Sequence, residues 1–540
     1  MADLSYRRGT PEPALLHETI DTNFRRRVHD QPDRLALVVV HQGVRWSYRE
    51  FDQRVQDLAK GLLHAGVEKG DRVALWAPNR FEWILVQYAT ARIGAIMVCI
   101  NPSYRTRELA YALTQSGTRL LFAAERLKSS DYRAMFEEVA AECPAVERAV
   151  FFESPEWNAL IASGAAVNDA AVDARRESLA PEDPINIQYT SGTTGLPKGV
   201  TLTHRNILNN AYFVGRGCEY TEEDRVCVPV PFYHCFGMVM GNLGATVHGA
   251  AIVVPGEAFD PVKVLEAVER ERCTSLYGVP TMFIAELGVE GFKNYDLSSL
   301  RTGIMAGSPC PIEVMKRVIA DMHMTQVTIA YGMTETSPVS TQTRADDPLE
   351  KRVATVGRVH PHVEVRIADP ETNETVPVGV AGEFQTRGYS VMRGYWNDDA
   401  KTTEVIDDDG WMHTGDLATM DDDGYFDIVG RIKDLVIRGG ENVSPREVEE
   451  FLYRHPEIVD AQVVGVPDAK YGEELCAFVR RATGSVLDAE GVRTFCQGQI
   501  AHFKVPRYVL FLEEFPMTVT GKIQKFRLRE LAAETLDLTE

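Results

Sequence analysis

Tyr189-Thr-Ser-Gly-Thr-Thr-Gly-Leu-Pro-Lys-Gly-Val200 is a run of hydroxyl residues and glycines closed by Gly195 and Lys198. Glycines let backbone N–H groups approach an anion closely, and hydroxyls and a lysine add further donors. The spacing is not that of a Walker A loop. Counted from Gly192, Pro197 stands where the second glycine belongs, and Gly199 where a Ser or Thr should follow the lysine. The flanks argue against a solvated linker, because Ile185–Tyr189 reads as a strand and Thr203–Leu208 opens a helix. The segment is therefore an ordered phosphate-binding loop.

Outward from the loop, strand-like and helix-like patterns alternate. Upstream, Arg72–Ala77, Ala95–Ile100 and Leu120–Ala124 read as strands, with helices at Phe81–Ile93 and Glu108–Leu113. Downstream, strands at Ala251–Val254, Thr302–Ala306 and Gln326–Ala330 alternate with helices at Val262–Arg270 and Ile312–Met322. This alternation predicts an α/β architecture built from βαβ units. From Gly357 the texture changes to short strands and dense turns, such as Asp407-Asp-Asp-Gly and Asp421-Asp-Asp-Gly, which predicts a β-rich portion. Ser444-Pro-Arg-Glu-Val-Glu-Glu then reads as a helix start, with an N-cap serine and proline at the first helical position. The expected organisation is a large domain over residues 1–432 and a small mobile α+β domain over 433–540.

Composition narrows the function. The chain has 540 residues, 44% hydrophobic and 25% charged, with a formal net charge of −21. It is long enough for several domains of roughly 150 residues and a large core. So acidic a chain is a poor sequence-independent nucleic-acid binder, since that binding rests on neutralising phosphates. The nine cysteines follow no CxxC pattern, which points to reduced thiols and a cytoplasmic location. The N-terminal segment carries acids and prolines and no apolar h-region, so a signal peptide is not expected. Val226–Gly256 lacks any Lys, Arg, Asp or Glu but is broken by prolines, histidines and glycines, so it reads as a buried element rather than a transmembrane span.

The loop is followed in order by Pro231-Phe-Tyr-His-Cys-Phe-Gly, Ala306-Gly-Ser-Pro, Tyr331-Gly-Met-Thr-Glu-Thr, Thr414-Gly-Asp, Gly430-Arg-Ile-Lys-Asp with Arg438-Gly-Gly-Glu-Asn, and Thr520-Gly-Lys-Ile-Gln-Lys. With these the chain resembles the adenylate-forming superfamily over nearly its whole length. It looks most like the branch of acyl-CoA synthetases acting on medium-chain fatty acids. The resemblance implies an ATP-dependent fatty acid–CoA ligase for medium- to long-chain acids, forming acyl-AMP and then acyl-CoA, with ATP, Mg²⁺ and coenzyme A. A homodimer and a peripheral membrane contact are left open.

By that resemblance, Thr190, Ser191, Gly192, Thr193, Thr194, Gly195 and Lys198 hold the β- and γ-phosphates. Ala306, Gly307, Ser308 and Pro309 face Ala330, Tyr331 and Gly332 across the adenine. Thr334 contacts the α-phosphate, Glu335 ligates Mg²⁺, and Asp416 and Arg431 meet the ribose. Lys522 bridges the carboxylate and the α-phosphate, where charge accumulates. His234 gates an acyl pocket walled by Phe236, Met238, Val239 and Met240, with Gly303 and Ala306 leaving room at its far end. By the same resemblance Lys433 falls on the hinge, at a place where many relatives carry aspartate and some lysine. Rotation about it would bring Gly439, Gly440 and Glu441 to the CoA channel.

Taken singly, each has a bland reading: Lys522 as a surface lysine, Arg431 as a surface ion-pair partner, His234 as a core histidine. The order of the motifs outweighs these. The rival functions are an acyl-AMP ligase loading a carrier protein, an aryl-CoA ligase, and a non-catalytic adenylate-binding protein. The last would require loss of Lys198, Glu335 or Lys522, and all three are present.

Overall fold

The computed structural model describes residues 3–190, 197–438, 441–468, 470–518 and 522–538. Two sheets with parallel centres carry the first part of the chain. In a seven-stranded sheet, Pro184–Thr190, Ile96–Cys99, Arg72–Trp76, Leu120–Ala123 and Arg148–Phe151 run parallel. Lys198–Thr203 returns antiparallel beside Pro184–Thr190. In a nine-stranded sheet, Gln326–Gly332, Thr302–Ala306, Ser275–Gly278, Arg225–Cys227, Ala251–Val254 and Leu35–Val39 are parallel neighbours. Central strands such as Ile96–Cys99, Leu120–Ala123 and Ala251–Val254 are unbroken apolar runs because both faces of such sheets are covered. Helix Phe81–Ile93 is apolar almost all round, and every residue after Phe81 is buried. The alternation read from the sequence is present throughout, with strand and helix ends displaced by a few residues.

The charge-free stretch lies inside the protein, as expected. No helix among the described residues is long and apolar enough to cross a membrane. What the apolar pattern did not predict is the conformation of Phe236–Leu243, an eight-residue π-helix buried along its whole length. A π-helix pairs its backbone groups i→i+5, and three of its carbonyls here also accept bonds from side chains of other elements. Gln87 Nε2 donates to the Met238 carbonyl (3.3 Å), Tyr277 Oη to that of Met240 (3.1 Å) and Tyr88 Oη to that of Asn242 (3.4 Å). The wider turn is thus tied to three side chains of neighbouring elements.

The β-rich portion is a five-stranded antiparallel sheet in the order Tyr6–Arg8, Val363–Ala368, Gly382–Gly388, Met412–Met420, Phe426–Arg431. From Val436 onward two further apolar cores form around their own sheet, in which Gly472–Arg481 pairs with Ile458–Asp468 and Tyr508–Phe511. The helix expected after Ser444 spans Pro445–Leu452. Ser444 occupies its N-cap position but makes no capping bond there. Its hydroxyl donates instead to the Val429 carbonyl, and Arg446 pairs with Asp427 at 3.1 Å. Both bonds reach back to strand Phe426–Arg431, so this helix start is spent on joining the two parts of the chain.

Candidate active site

In open α/β sheets, ligands bind beyond the carboxyl ends of the parallel strands. The predicted site residues emerge there. Thr190 ends Pro184–Thr190, Ala306 ends Thr302–Ala306, and Tyr331 and Gly332 end Gln326–Gly332. Gly307 follows with φ +92°, and Ser308 and Pro309 continue the exposed turn. Of the phosphate loop, Ser191, Gly192, Thr193, Thr194 and Gly195 lie outside the described residues, as do Gly439 and Gly440 of the expected CoA channel. Lys198 opens the returning strand, with its ammonium 4.9 Å over the Tyr395 ring.

Glu335 sits in the short helical turn Thr334–Thr336 and is buried. Thr190 Oγ1 (3.4 Å) and Tyr395 Oη (3.0 Å) both donate to its Oε1. Burial raises the Glu335 pKa, against the pull of its own backbone N–H, of Tyr395 and Thr190, and of Lys198. A buried carboxylate held by hydroxyl donors, with Thr190 and Lys198 near it, is a fitting ligand for a hard cation. Among the described residues no cluster of three or more His, Cys, Asp or Glu side chains forms an all-protein cage. That suits Mg²⁺, which usually takes one or two carboxylates and completes its shell with water and substrate phosphates.

Asp416 is 6% exposed, and both its oxygens are engaged. Arg431 Nε donates to Oδ1 (2.8 Å) and Tyr331 Oη to Oδ2 (2.7 Å). The pair Asp416 and Arg431 stand opposite each other in adjacent antiparallel strands. Tyr331 joins the adenine strand to this corner, and sequence reasoning gave it no such role. Its phenol is pushed far up by burial and by the Asp416 carboxylate.

Lys522 reaches this site from the far end of the chain. A Cβ built on Gly307 would lie 3.8 Å from Lys522 Cε. Burial lowers the Lys522 pKa and Arg431 adds to that, while Cys235, Asp416 and Glu335 oppose it. Among the described residues the ammonium has no hydrogen-bond or ion-pair partner. A half-buried, unpaired cation facing this group of acids and donors is no longer a plain surface lysine.

His234 is also brought here. Its Nδ1 accepts from the Phe236 N–H (3.1 Å), and burial together with the Lys522 charge lowers its pKa to about 3. It is therefore a neutral imidazole near pH 7. Cys235 Sγ lies 3.7 Å from Thr334 Oγ1, which ties the His234 turn to the Thr334–Glu335 turn. Phe236, Met238, Val239 and Met240 form the π-helix, and the Phe236 ring is 5.6 Å from that of Tyr277. Phe236 at 5% and Met240 at 3% keep some contact with open space, whereas Met238 and Val239 have none. Two small residues behave differently from each other. Ala306 borders the site, but a Cβ on Gly303 would lie 2.0 Å from the Leu276 carbonyl oxygen and 2.5 Å from Met324 Cε. The room Gly303 leaves is filled by strand packing rather than opened to a ligand.

Lys433 lies in the exposed turn Ile432–Asp434 directly after Arg431. Its neighbour Asp434 pairs with Arg529 at 2.7 Å. Glu441 is exposed at the start of strand Glu441–Val443.

Comparisons with known proteins agree with this geometry. A family model described as AMP-binding enzyme matches residues 24–396, and one for the AMP-binding enzyme C-terminal domain matches 447–522. YngI of Bacillus subtilis, named as an acyl-CoA synthetase, is 47% identical over 97% of this chain and 99% of its own. The mitochondrial medium-chain acyl-CoA ligase ACSF2 of Danio rerio is 43% identical over 99% of this chain and 91% of its own. The crystal structure of ATP-bound MatB from Rhodopseudomonas palustris superposes with a TM-score of 0.84 at 30% identity, covering 96% of this chain and all of that one.

Proposed function

The chain belongs to the AMP-binding enzyme family and is an AMP-forming acyl-CoA synthetase, and from that premise we propose that it activates medium-chain fatty acids. The reaction uses ATP, Mg²⁺ and coenzyme A. The acid's carboxylate oxygen attacks the α-phosphorus of ATP, giving acyl-AMP and pyrophosphate. The CoA thiol, losing its proton, then attacks the acyl carbonyl, and AMP leaves as the thioester forms.

Adenylation spreads negative charge over the α-phosphate, so catalysis is positioning plus fixed positive charge. Lys522 is assigned to that charge, because its ammonium is unpaired among the described residues and half-buried beside Gly307. Asp416 and Arg431 are assigned to the ribose, and Lys198 to the phosphates. Thr334 is assigned to the α-phosphate, next to Cys235 and His234. Glu335 would hold Mg²⁺, which supplies charge neutralisation to the phosphates. The neutral His234 stands between this charged corner and the π-helix, the position of a gate to the acyl chain. We assign the chain beyond residue 432 to a mobile domain, with Lys433 at its hinge and Glu441 on the side that meets CoA after rotation.

The observation that carries the substrate reading is the uncharged, apolar π-helix that follows His234. Phe236–Leu243 is apolar apart from Asn242, and that amide donates to Gln87 Oε1 (3.0 Å). Such a wall favours a plain alkyl chain over a dicarboxylate or an amino acid. The nine cysteines are all free and buried, which supports a reducing, cytoplasmic setting. The test is mass spectrometry of products after incubation with ATP, Mg²⁺ and CoA, over straight-chain acids and benzoate. We expect acyl-CoA that rises and falls with chain length and peaks at medium length. Acyl-AMP without thioester would point to a carrier-protein acceptor, and benzoyl-CoA alone to an aryl pocket; either overturns the proposal.

A further inference from the structure

Asp416 does not sit in a regular strand. Between Met412–Met420 and Gly382–Gly388, Gln385 pairs with His413 but Glu383 pairs with Leu417. Thr414, Gly415 and Asp416 therefore oppose the single residue Phe384. A bulge of this kind re-aims a side chain and leaves backbone groups without ladder partners. Gly415 has φ +71° with nothing within 4 Å of where a Cβ would stand. It is glycine for its backbone conformation, not for lack of room.

The freed donors are taken up locally. The Asp416 N–H donates to Thr414 Oγ1 (3.1 Å), whose hydroxyl donates to the Phe384 carbonyl (2.5 Å). The Gly415 N–H donates to Glu383 Oε1 (2.9 Å). Glu383 is 8% exposed, and its other oxygen accepts from Gln385 Nε2 (2.9 Å) and His413 Nδ1 (2.9 Å). His413 Nε2 faces Asp407 at 3.8 Å. Burial alone would raise the Glu383 pKa, but the His413, Gln385 and Gly415 donors hold it below the ordinary value.

We propose that Glu383 is a positioning residue for ATP binding: its carboxylate caps the Gly415 bulge and so aims Asp416 at the ribose. The inference rests on the assignment of Asp416 to the ribose hydroxyls. Glu383 accepts on both oxygens, from three donors. A glutamine there keeps the shape but turns one acceptor into a donor. It must leave either the Gly415 N–H uncapped or the Gln385 N–H facing another N–H, with His413 forced into the tautomer whose Nδ1 accepts.

The test compares ATP with 2′,3′-dideoxy-ATP in the adenylation half-reaction for the wild type, Glu383→Gln and Asp416→Ala. For Glu383→Gln we expect KM for ATP to rise about tenfold while kcat at saturating ATP stays within about threefold, the pattern of lost ground-state binding. The preference for ATP over the dideoxy analogue should shrink by a similar factor, because only an aimed Asp416 rewards the hydroxyls. His413→Gln, which removes one donor from Glu383 and leaves the bulge residues in place, should shift both quantities the same way by a smaller factor. It keeps the proposal testable if Glu383→Gln does not fold. If Asp416→Ala loses the ATP preference while Glu383→Gln and His413→Gln keep it, Glu383 does not position Asp416. If Asp416→Ala keeps the preference, the ribose assignment fails and the inference falls with it.

Discussion

The two halves of the site are built in opposite ways. On the proposed nucleotide side, charged and hydroxyl side chains from parallel-strand ends, a helical turn and antiparallel strands bond to each other, as in Tyr331–Asp416–Arg431 and Thr190–Glu335–Tyr395. On the proposed acyl side, an apolar π-helix is assigned the wall, and its carbonyls accept from Gln87, Tyr88 and Tyr277. One half works through which residue types are present, the other through which backbone turn they are forced to adopt. Changes on the nucleotide side should therefore alter rate and ATP affinity. Changes on the acyl side should alter which acid is chosen.

The largest effect is expected at Lys522. Lys522→Ala should slow pyrophosphate release from ATP and acid by about 100- to 1000-fold, the cost of removing a fixed charge-stabilising group. Thioester formation from supplied acyl-AMP and CoA should stay within a few-fold, since a rotated second domain would carry Lys522 away. Equal loss of both half-reactions in a folded variant would break the contrast between adenylation and thiolation.

A smaller and more selective effect is expected at Met240. Each buried methylene is worth about 0.8 kcal/mol, or about fourfold in kcat/KM. Met240→Trp should fill part of the pocket and move the preferred chain length down, losing about fourfold for every methylene no longer accommodated. Activity on the shortest acids should be kept. A uniform loss across the panel would place Met240 outside the acyl wall.

Gln87→Met, nearly equal in volume, tests what holds the π-helix. It strips the Met238 carbonyl and the Asn242 amide of partners in a buried setting, where an unmade hydrogen bond costs about 1–3 kcal/mol. Thermal unfolding should show a loss of about 2 kcal/mol, and the chain-length profile should broaden while KM for ATP holds. An unchanged profile would mean that the turn keeps its shape without Gln87.

The smallest effect concerns pH. The Lys522 pKa is lowered, so its charge is lost as pH rises through that lowered value, before an ordinary lysine would titrate. Adenylation should therefore fall on the alkaline side, and Lys522→Arg, charged throughout, should flatten that limb. His234, with a pKa of about 3, should add no inflection between about pH 5 and 8. An inflection there that disappears in His234→Phe would show that it titrates.

The same contrast explains what was legible in the sequence. The α/β alternation and the β-rich portion could be read because strands, helices and turns leave local patterns, whereas the nucleotide-side residues were singled out only by the ordered motifs that resemble the adenylate-forming superfamily. Lys522, Asp416, Arg431, Glu335 and His234 do come together. The π-helix was not legible, because its sequence suits an ordinary buried helix and its partners lie over 30 residues away in chain order. Tyr331 as a link to Asp416, and Glu383 beneath the bulge, depend on strand register that no local pattern displays. Ser444 has the form of a cap and is drawn off by Val429. Gly303 was read as room for a ligand, but a glycine in sequence does not say whether its space faces a cavity or a neighbouring strand.

The claim that the two halves are separable is tested most directly by a double-mutant cycle on Asp416→Ala and Met240→Trp. The quantity to measure is kcat/KM for adenylation of a medium-chain acid at limiting ATP. Sites that do not share partners add to within about 0.5 kcal/mol. Additivity within that margin, with Asp416→Ala leaving the chain-length profile unmoved, is the expected result. A larger coupling energy, or a shifted profile in Asp416→Ala, would contradict the division of the site into a nucleotide half and an acyl half.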